Sequence, residues 1–381
     1  MSLVTVATCQ LNQWAMDFDG NMERIYESCV QAKKQGASYR LGPELEFCGY
    51  GCEDHFLELD TIDHSWESLV QILQRGATND LLCDFGLPVL HKGVRYNARV
   101  LAYGGQILWI RPKQHLADNG NYRESRYFTP WDSSSSSSHT DRFLLPPVVQ
   151  AAFPDHPRLV PMGTGCIQST MHYGLRIGCE SCEELWTPQS TNIGLALDGV
   201  DIVGNGSGSH HELRKLNARL ELMVHATRKC GGIYLYANQR GCDGSRLYWD
   251  GCSMICANGQ VLAQAPQFDV RDVVVISATI DVDDVRSYRA SIPSWSRQAQ
   301  QHQQDTAHHQ HNTTTYVDNL DLSPQSGATP TQPLDNQLKC HLPEEECCLG
   351  PACWLWDYLR RSGAAGYFLP LSGRLLCLDP E

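Results

Sequence analysis

The 381-residue sequence has no uninterrupted apolar stretch of about 18 residues, the minimum for a membrane-spanning helix. It also has no evident cluster of basic residues: Lys and Arg total 30, Asp and Glu total 43, and the formal charge is -13. Proteins that bind nucleic acids need clustered Lys and Arg to neutralise phosphates. We therefore expect neither a membrane span nor a nucleic-acid partner, and the composition favours a small-molecule substrate.

A secretory signal is also missing from the first residues, which follow a strand pattern at residues 3–7. The 17 cysteines are scattered along a long chain rather than spaced as in a small disulfide-bonded domain. We expect reduced thiols and a cytoplasmic protein. The hydrophobic content of 42% is ample for a large core.

The first forty-odd residues predict a strand, a helix and a second strand. Residues 3–11 form an apolar strand pattern, and Asn21 is predicted to cap a helix that ends before Gly36. The second strand, residues 39–41, leads directly to Glu44. This order is typical of the beginning of an α/β domain, with a carboxylate at a strand end.

A predicted hairpin and a predicted turn bring two more reactive groups to strand ends. The strands at residues 94–103 and 106–110 flank a Gly-Gly turn, and Lys113 follows the second strand. Cys182 follows an apolar run at residues 175–178 and is predicted to lie at a strand-to-helix turn. The positive end of that helix dipole is expected to favour the thiolate.

A carboxylate, an amine and a thiol at strand ends are the groups that amide hydrolysis through a thioester requires. Glu44 would accept the thiol proton, and Lys113 would provide the positive charge that favours thiolate. Lys113 and the backbone N–H of Glu183 would stabilise the oxyanion. The sequence therefore predicts an enzyme that acts on a carbon–nitrogen bond, with Cys182 as nucleophile.

Other motifs have less specific interpretations. Cys179 and Cys182 form a C-x-x-C pair without a second pair at zinc-ribbon spacing, so we predict no metal site. The glycine-rich residues 204–208 lack the Lys-Ser/Thr ending of a phosphate loop, and we interpret them as a close backbone approach at the pocket. The His-rich residues 308–311 are interpreted as part of a solvated linker.

Further strands are predicted at residues 200–204, 232–237, 252–257 and 273–280, with a helix at 212–228. Mixed strands with short hairpins favour a large two-sheet α/β sandwich. The serine run at 133–138 and the polar stretch from 295 to about 345 are predicted to be mobile, and residues 349–359 to form an amphipathic helix.

Seven motifs together resemble the glutamine-dependent NAD+ synthetases of eukaryotes, whose amino-terminal half is a nitrilase-superfamily glutaminase. The resemblance covers almost everything through Arg289. The motifs are Arg-Leu-Gly-Pro-Glu-Leu-Glu at 40–46, Gly-Tyr-Gly-Cys at 49–52, Arg-Pro-Lys at 111–113, Asn-Tyr-Arg-Glu at 121–124, Cys-Glu-Glu-Leu-Trp-Thr-Pro at 182–188, Ser-Gly-Ser-His-His at 207–211 and Ala-Asn-Gln-Arg-Gly-Cys-Asp-Gly at 237–244.

The resemblance implies Glu44 as general base, Lys113 as oxyanion stabiliser, Cys182 as nucleophile and Glu124 as an auxiliary glutamate. It implies a four-layer α-β-β-α sandwich that assembles into homo-oligomers. The implied reaction converts glutamine to glutamate and ammonia without a cofactor. The implied glutamine pocket comprises Tyr50, Tyr122, Glu183, Trp186, Ser209 and Arg214, with an alignment ambiguous by one residue at Arg214 and Lys215.

The resemblance also divides the chain into a glutaminase domain at 1–290, a disordered polar linker at 291–345 and the start of a synthetase domain at 346–381. In the family, Leu-Pro-Leu-Ser-Gly continues into the loop that grips ATP, whereas here Ser372-Gly373 continues into a different sequence. Use of ATP, Mg²⁺ and deamido-NAD+ is implied for the synthetase domain alone. We therefore expect this chain by itself not to make NAD+.

Two other functions remain open from the sequence. One is a catalytically weak assembly or regulatory partner that joins oligomers of the full-length synthetase. The other is a nitrilase-type amidase for a different small amide, which the Tyr50, Glu183, Trp186 and Ser209 set disfavours.

Overall fold

The computed structural model describes residues 2–132, 140–171, 174–242, 247–309 and 313–370. The serine run at 133–138, Asp243, Gly244 and the segment 371–381 lie outside the described residues. In the part described, no helix is both long and apolar enough to span a membrane.

The described residues form strands and helices that alternate through most of the chain. The strands are β1 Leu3–Leu11, β2 Tyr39–Leu41, β3 Leu82–His91, β4 Val94–Tyr103, β5 Gln106–Pro112, β6 Thr140–Leu144, β7 Leu159–Gly163, β8 Gly165–Ser169, β9 Arg176–Ser181, β10 Ile202–Ser207, β11 Ile233–Gly241, β12 Trp249–Asp250, β13 Met254–Ala257, β14 Gln260–Gln264, β15 Val273–Asp281 and β16 Thr313–Val317. The helices are α1 Phe18–Lys34, α2 Leu59–Gln74, α3 Pro147–Ala152, α4 Thr191–Leu197, α5 Lys215–Cys230, α6 Val282–Ser291, α7 Trp295–His309 and α8 Pro343–Ser362.

The strands form two packed sheets joined at one corner. The first sheet has the order β15-β1-β2-β3-β4-β5-β7-β6, and the second has the order β16-β8-β9-β10-β11-β13-β14. The corner is a short parallel pairing in which Gln10 and Leu11 of β1 lie opposite Asn238 and Gln239 of β11.

Alternation of side chains along β1 and β11 explains the layers. Val4 and Val6 of β1 pack in a core between the sheets, while Cys9 packs in a separate core with α1 and α2. On β11, Leu235 belongs to the core between the sheets, and Tyr234 packs with residues of α4 and α5. The order is therefore helices, sheet, sheet, helices, which confirms the predicted four-layer α-β-β-α sandwich.

Helix α1 begins earlier than the sequence predicts. Its N-cap is Asp17, whose side chain accepts the Gly20 N–H at 3.2 Å. Asn21 is instead buried, and its Nδ2 donates to the backbone oxygens of Trp14 and Phe47 at 2.8 and 2.9 Å. The predicted cap was wrong because Asn21 is engaged in tertiary hydrogen bonds.

The segment predicted as a disordered linker at 291–345 contains ordered structure, and this expectation was wrong for its described residues. Strand β16 pairs in parallel with β8, and helix α7 packs against α4. Beyond β16, Leu320 and Leu322 are fully buried in the core between the sheets. A few apolar residues therefore anchor a segment whose composition is mostly polar. The domain boundaries at 290 and 345 stay predictions.

Helix α8 packs against the sandwich and begins at Pro343, before the predicted start at residue 349. Buried Asp357 accepts hydrogen bonds from Arg240 Nη2 at 3.0 Å and from Asn12 Nδ2 at 3.0 Å. Near the other end of α8, Glu346 is also buried. The helix thus has an extensive polar attachment to residues that precede 290.

Candidate active site

Cys182 follows the last residue of β9 in a strained backbone conformation. Its φ is 40°, in the left-handed region that non-glycine residues rarely adopt. Its N–H donates to Asn205 Oδ1 at 3.0 Å, which holds this conformation in place. The side chain is 3% exposed. The predicted strand-end position is therefore confirmed.

The predicted helix after Cys182 is replaced by a single 3-10 turn, Cys182–Leu185, and α4 starts only at Thr191. One such turn aligns few peptide dipoles, so the expected helix-dipole contribution to the thiolate was wrong.

Glu44 and Lys113 form the centre of the site. Glu44 is buried beyond the end of β2, and its Oε1 accepts Lys113 Nζ at 2.6 Å. The same oxygen accepts Asn97 Nδ2 at 2.7 Å, and Oε2 accepts the Gly208 N–H at 3.1 Å. These contacts fix the carboxylate where the ends of both sheets meet.

Glu124 completes a buried row of alternating charges. Its Oε1 accepts Lys113 Nζ at 2.8 Å and also the hydroxyl of Tyr50, while Oε2 accepts the Ala117 N–H at 3.2 Å. Burial raises the pKa of Glu124 to about 7, although Lys113 lowers it. Burial alone would lower the pKa of Lys113, but Glu124 and Glu44 together raise it above its ordinary value.

The Cys182 thiol interacts electrostatically with this row. Burial, followed by the charge of Glu44, raises the pKa of Cys182 to about 12, while Lys113 and the Gly208 N–H lower it. Lys113 therefore favours the thiolate as expected, but burial has the larger effect and raises the pKa of Cys182 overall. At this pKa the Cys182 thiol keeps its proton at neutral pH.

Two of the predicted pocket residues, Tyr50 and Tyr122, contact each other beside a cavity. The rings of Tyr50 and Tyr122 meet edge to face with centroids 6.1 Å apart. They line, with Glu124, a cavity of about 370 Å³. The Tyr122 hydroxyl accepts the His210 N–H at 3.2 Å, and Ser209 is buried next to it in sequence.

Arg214 points away from these residues. It precedes α5, and its Nη1 donates to Glu346 Oε1 of α8 at 2.9 Å. Its neighbour Lys215 lies over the rings of Tyr122 and Trp186, with Nζ 5.2 and 5.9 Å from their centroids. Of these two adjacent cations, Lys215 is therefore the one that lies beside Tyr122 and Trp186.

Glu183 is only partly buried. Burial raises its pKa, and Lys113 and Lys215 lower it, whereas Glu44 raises it. Its carboxylate therefore lies within the electrostatic reach of the site and of Lys215.

The two cysteines of the C-x-x-C pair lie in different environments. Cys179 packs in the core between the sheets, whereas Cys182 lies at the site.

The interpretation of the glycine-rich residues 204–208 as a place of close approach is confirmed. A Cβ on Gly208 would lie 2.5 Å from the Tyr50 ring, and one on Gly206 would lie 2.0 Å from Arg99 Nη1.

Sequence reasoning missed three buried polar residues that hold the site. Asn97 binds the proposed base, and Asn205 binds the backbone of the proposed nucleophile. Glu184 connects the two strand ends that contain Lys113 and Cys182. Their side-chain partners come from distant parts of the chain, although Glu184 lies within the motif at residues 182–188.

The chain matches the carbon–nitrogen hydrolase family model over residues 5–290. It therefore belongs to the carbon–nitrogen hydrolase family, in agreement with the fold and the Glu44, Lys113 and Cys182 site.

Within that family, its similarity is to proteins named glutamine-dependent NAD+ synthetase. The protein of that name from Saccharomyces cerevisiae is 52% identical over 380 residues, which are 97% of this chain and 50% of the relative. The Homo sapiens protein is 51% identical over 373 residues, again 97% of this chain and 50% of the relative. The chain thus spans about half the length of the curated relatives it matches.

Solved structures agree with this placement. The chain is 27% identical to a glutamine-dependent NAD+ synthetase from Cytophaga hutchinsonii, with a TM-score of 0.63 over 73% of this chain and 43% of that chain. An amidase of the nitrilase superfamily from Nesterenkonia has 18% identity and a TM-score of 0.55 over 76% of this chain and 95% of that chain, which shows the shared fold.

Proposed function

We propose that this chain hydrolyses the side-chain amide of glutamine to glutamate and ammonia through a thioester on Cys182. The observation that supports it most directly is the buried row Glu44–Lys113–Glu124 beside the thiol. Water-excluded charges strengthen proton transfer and oxyanion stabilisation at a reacting amide.

Glu44 accepts the Cys182 proton as the sulfur attacks the carboxamide carbon. Concerted transfer suits a thiol whose pKa burial has raised to about 12. The Lys113 ammonium and the Glu183 N–H stabilise the oxyanion. Glu44 then gives its proton to the departing nitrogen as the carbon–nitrogen bond breaks, and ammonia leaves.

Water completes the reaction. Glu44 removes a proton from water, the resulting hydroxide attacks the thioester carbon, and the carbon–sulfur bond breaks. The proton on Glu44 returns to the Cys182 sulfur, which restores the resting thiol and leaves glutamate. The steps use only groups of this chain and water, and we propose that no cofactor takes part in the reaction.

Recognition of the amino-acid end of glutamine requires one anionic and one cationic partner. We assign the α-ammonium group to Glu183 and the α-carboxylate to Lys215, which lies beside Tyr122 and Trp186. Ser209 and Tyr122 supply hydroxyls for the same end, and Tyr50 closes the pocket against Glu124. This assignment replaces the predicted Arg214 by Lys215.

The names of the relatives, which this chain matches over only part of their length, support a wider role. We propose that the released ammonia serves amidation of deamido-NAD+ to NAD+ with ATP and Mg²⁺ in a protein of the relatives' length. Assembly into oligomers and a cytoplasmic location belong to the same proposal.

A substrate panel tests the proposal. The purified chain would be incubated with L-glutamine, L-asparagine, acetamide and acrylamide, and ammonia would be quantified. Ammonia from glutamine well above that from the other amides is the expected result. Preference for a simple aliphatic amide would identify a different amidase, and no ammonia from any of them would favour an assembly partner.

A further inference from the structure

Glu184 lies fully buried between the strand ends that bear Lys113 and Cys182. Its Oε1 and Oε2 accept hydrogen bonds from Arg111 Nη1 at 2.6 and 2.5 Å. Its Oε1 also accepts the Gln114 N–H at 2.5 Å. A buried carboxylate with four charge-assisted or backbone contacts is held in a single position.

The remaining contact of Glu184 is on its own strand end. Its Oε2 accepts the Ser181 N–H at 2.6 Å. Arg111 and Gln114 lie on either side of Lys113 in the sequence, and Ser181 and Glu184 lie on either side of Cys182. One carboxylate therefore ties together the residues that flank the amine and the thiol.

We propose that Glu184, with Arg111, is a positioning residue that sets the spacing between the Lys113 ammonium and the Cys182 sulfur. The proposal rests on the proposed function. In that reaction the spacing matters because the Lys113 ammonium must contact the oxyanion while the Cys182 sulfur attacks the amide carbon. A displacement of about 1 Å at a reacting group lowers the rate by up to about 100-fold.

Hydrogen bonding between strands does not set the spacing between Lys113 and Cys182, so side chains must set it. Lys113 follows β5 in the first sheet, and Cys182 follows β9 in the second, so no strand pairing connects the two ends. Among the described residues, Glu44 accepts hydrogen bonds from Lys113 and from the Gly208 N–H but makes none with β9 or its turn. The Glu184 carboxylate is a direct bridge between these two strand ends.

The test uses Glu184→Gln and Arg111→Lys. Gln keeps the shape of Glu184 but replaces one accepting oxygen by a donor, and Lys keeps the charge of Arg111. The control is Asp201→Asn, because Asp201 is a buried carboxylate that binds Arg286 Nη2 at 2.9 Å and precedes β10, at the strand end remote from the site.

Two quantities would be measured for each folded variant. One is kcat and KM for glutamine, and the other is the rate at which iodoacetamide alkylates Cys182, followed by mass spectrometry of its peptide. We expect kcat of both variants to fall by about 100-fold with KM changed by less than about threefold, and alkylation of Cys182 to slow. Asp201→Asn should retain both rates even where it lowers the unfolding midpoint.

Glu184→Gln with kcat within about threefold of the parent would overturn the proposal. Equal losses of kcat in Glu184→Gln and Asp201→Asn would also overturn it, since they would indicate general destabilisation. If the parent chain releases no ammonia from glutamine, the proposed function fails, yet the alkylation rates still decide the positioning role: slower alkylation in both site variants supports it, and unchanged alkylation contradicts it.

Discussion

At the scale of single residues, Glu124 has the largest consequence for pH dependence. Burial raises its pKa from an ordinary value of 4.5 to about 7. Between about pH 4.5 and pH 7, the folded state therefore retains a proton on Glu124 that the unfolded state has lost. Its contribution to stability is fully present below about pH 4.5 and is lost as the pH rises through 7.

We predict that Glu124→Gln removes this dependence. Between pH 4.5 and 7 the free energy of unfolding of the parent should fall relative to that of the variant, by on the order of 3 kcal/mol. Urea denaturation of both proteins at several pH values measures the difference. Parallel curves for the two proteins would show that Glu124 does not titrate in this interval.

The adjacent cations Arg214 and Lys215 give a second prediction. Lys215→Met should raise KM for glutamine by about 100-fold, because it removes the charge beside Tyr122 that we assign to the α-carboxylate, at a cost of about 2–3 kcal/mol. Arg214→Met is the matched control, since it removes the same charge from the next residue. Steady-state kinetics of both variants would check this, and a larger KM effect for Arg214→Met would reverse the assignment.

Sequence reasoning located Glu44, Lys113 and Cys182 because each follows a strand with a clear apolar pattern. It could not choose between Arg214 and Lys215, because the direction of a side chain at the start of a helix depends on the backbone geometry there. Arg214 adopts a φ of 66°, which the sequence does not reveal. Asn97 was missed because its importance comes only from its contact with Glu44, across the fold.

At the scale of elements, α8 shows how a helix at the edge of the sandwich is held by charge. Its Asp357 is fully buried with Arg240, and the pair is supplemented by Asn12 and Arg360. Near its start, Glu346 binds Arg214 and His211 from the loop that leads to α5. The helix therefore rests against the loop that positions Lys215.

We predict that Asp357→Ala lowers the free energy of unfolding by about 3–5 kcal/mol, because it leaves buried Arg240 without its carboxylate. Asp54→Ala is the control: Asp54 also pairs with an arginine, Arg126, but its side chain is 63% exposed, and little change is expected. Urea denaturation followed by circular dichroism gives both values. Similar small losses in the two variants would mean that α8 contributes little to the fold.

The elements from α7 to α8 also show where composition misleads. Polar composition predicted disorder after residue 291, yet β16 extends the second sheet and Leu320 and Leu322 fill its core. Single buried leucines among polar residues give no periodic pattern, so the sequence did not predict their contacts.

At the scale of the whole molecule, the two sheets converge so that Glu44 and Lys113 come from the first and Cys182 from the second. The four-layer arrangement could be predicted from mixed strands and a family resemblance. The corner at which β1 pairs with β11 could not, since two residue pairs between distant segments leave no local pattern. That corner brings the ends of the sheets together around the site.

Glutamate release from glutamine by the purified chain, beside Cys182→Ala and Cys179→Ala, decides whether hydrolysis passes through a thioester on Cys182. Cys179 is the matched control, because it is an equally buried thiol three residues away that packs in the core. We predict glutamate from the parent and from Cys179→Ala, and none above background from Cys182→Ala. Glutamate release that survives in folded Cys182→Ala would contradict the thioester mechanism.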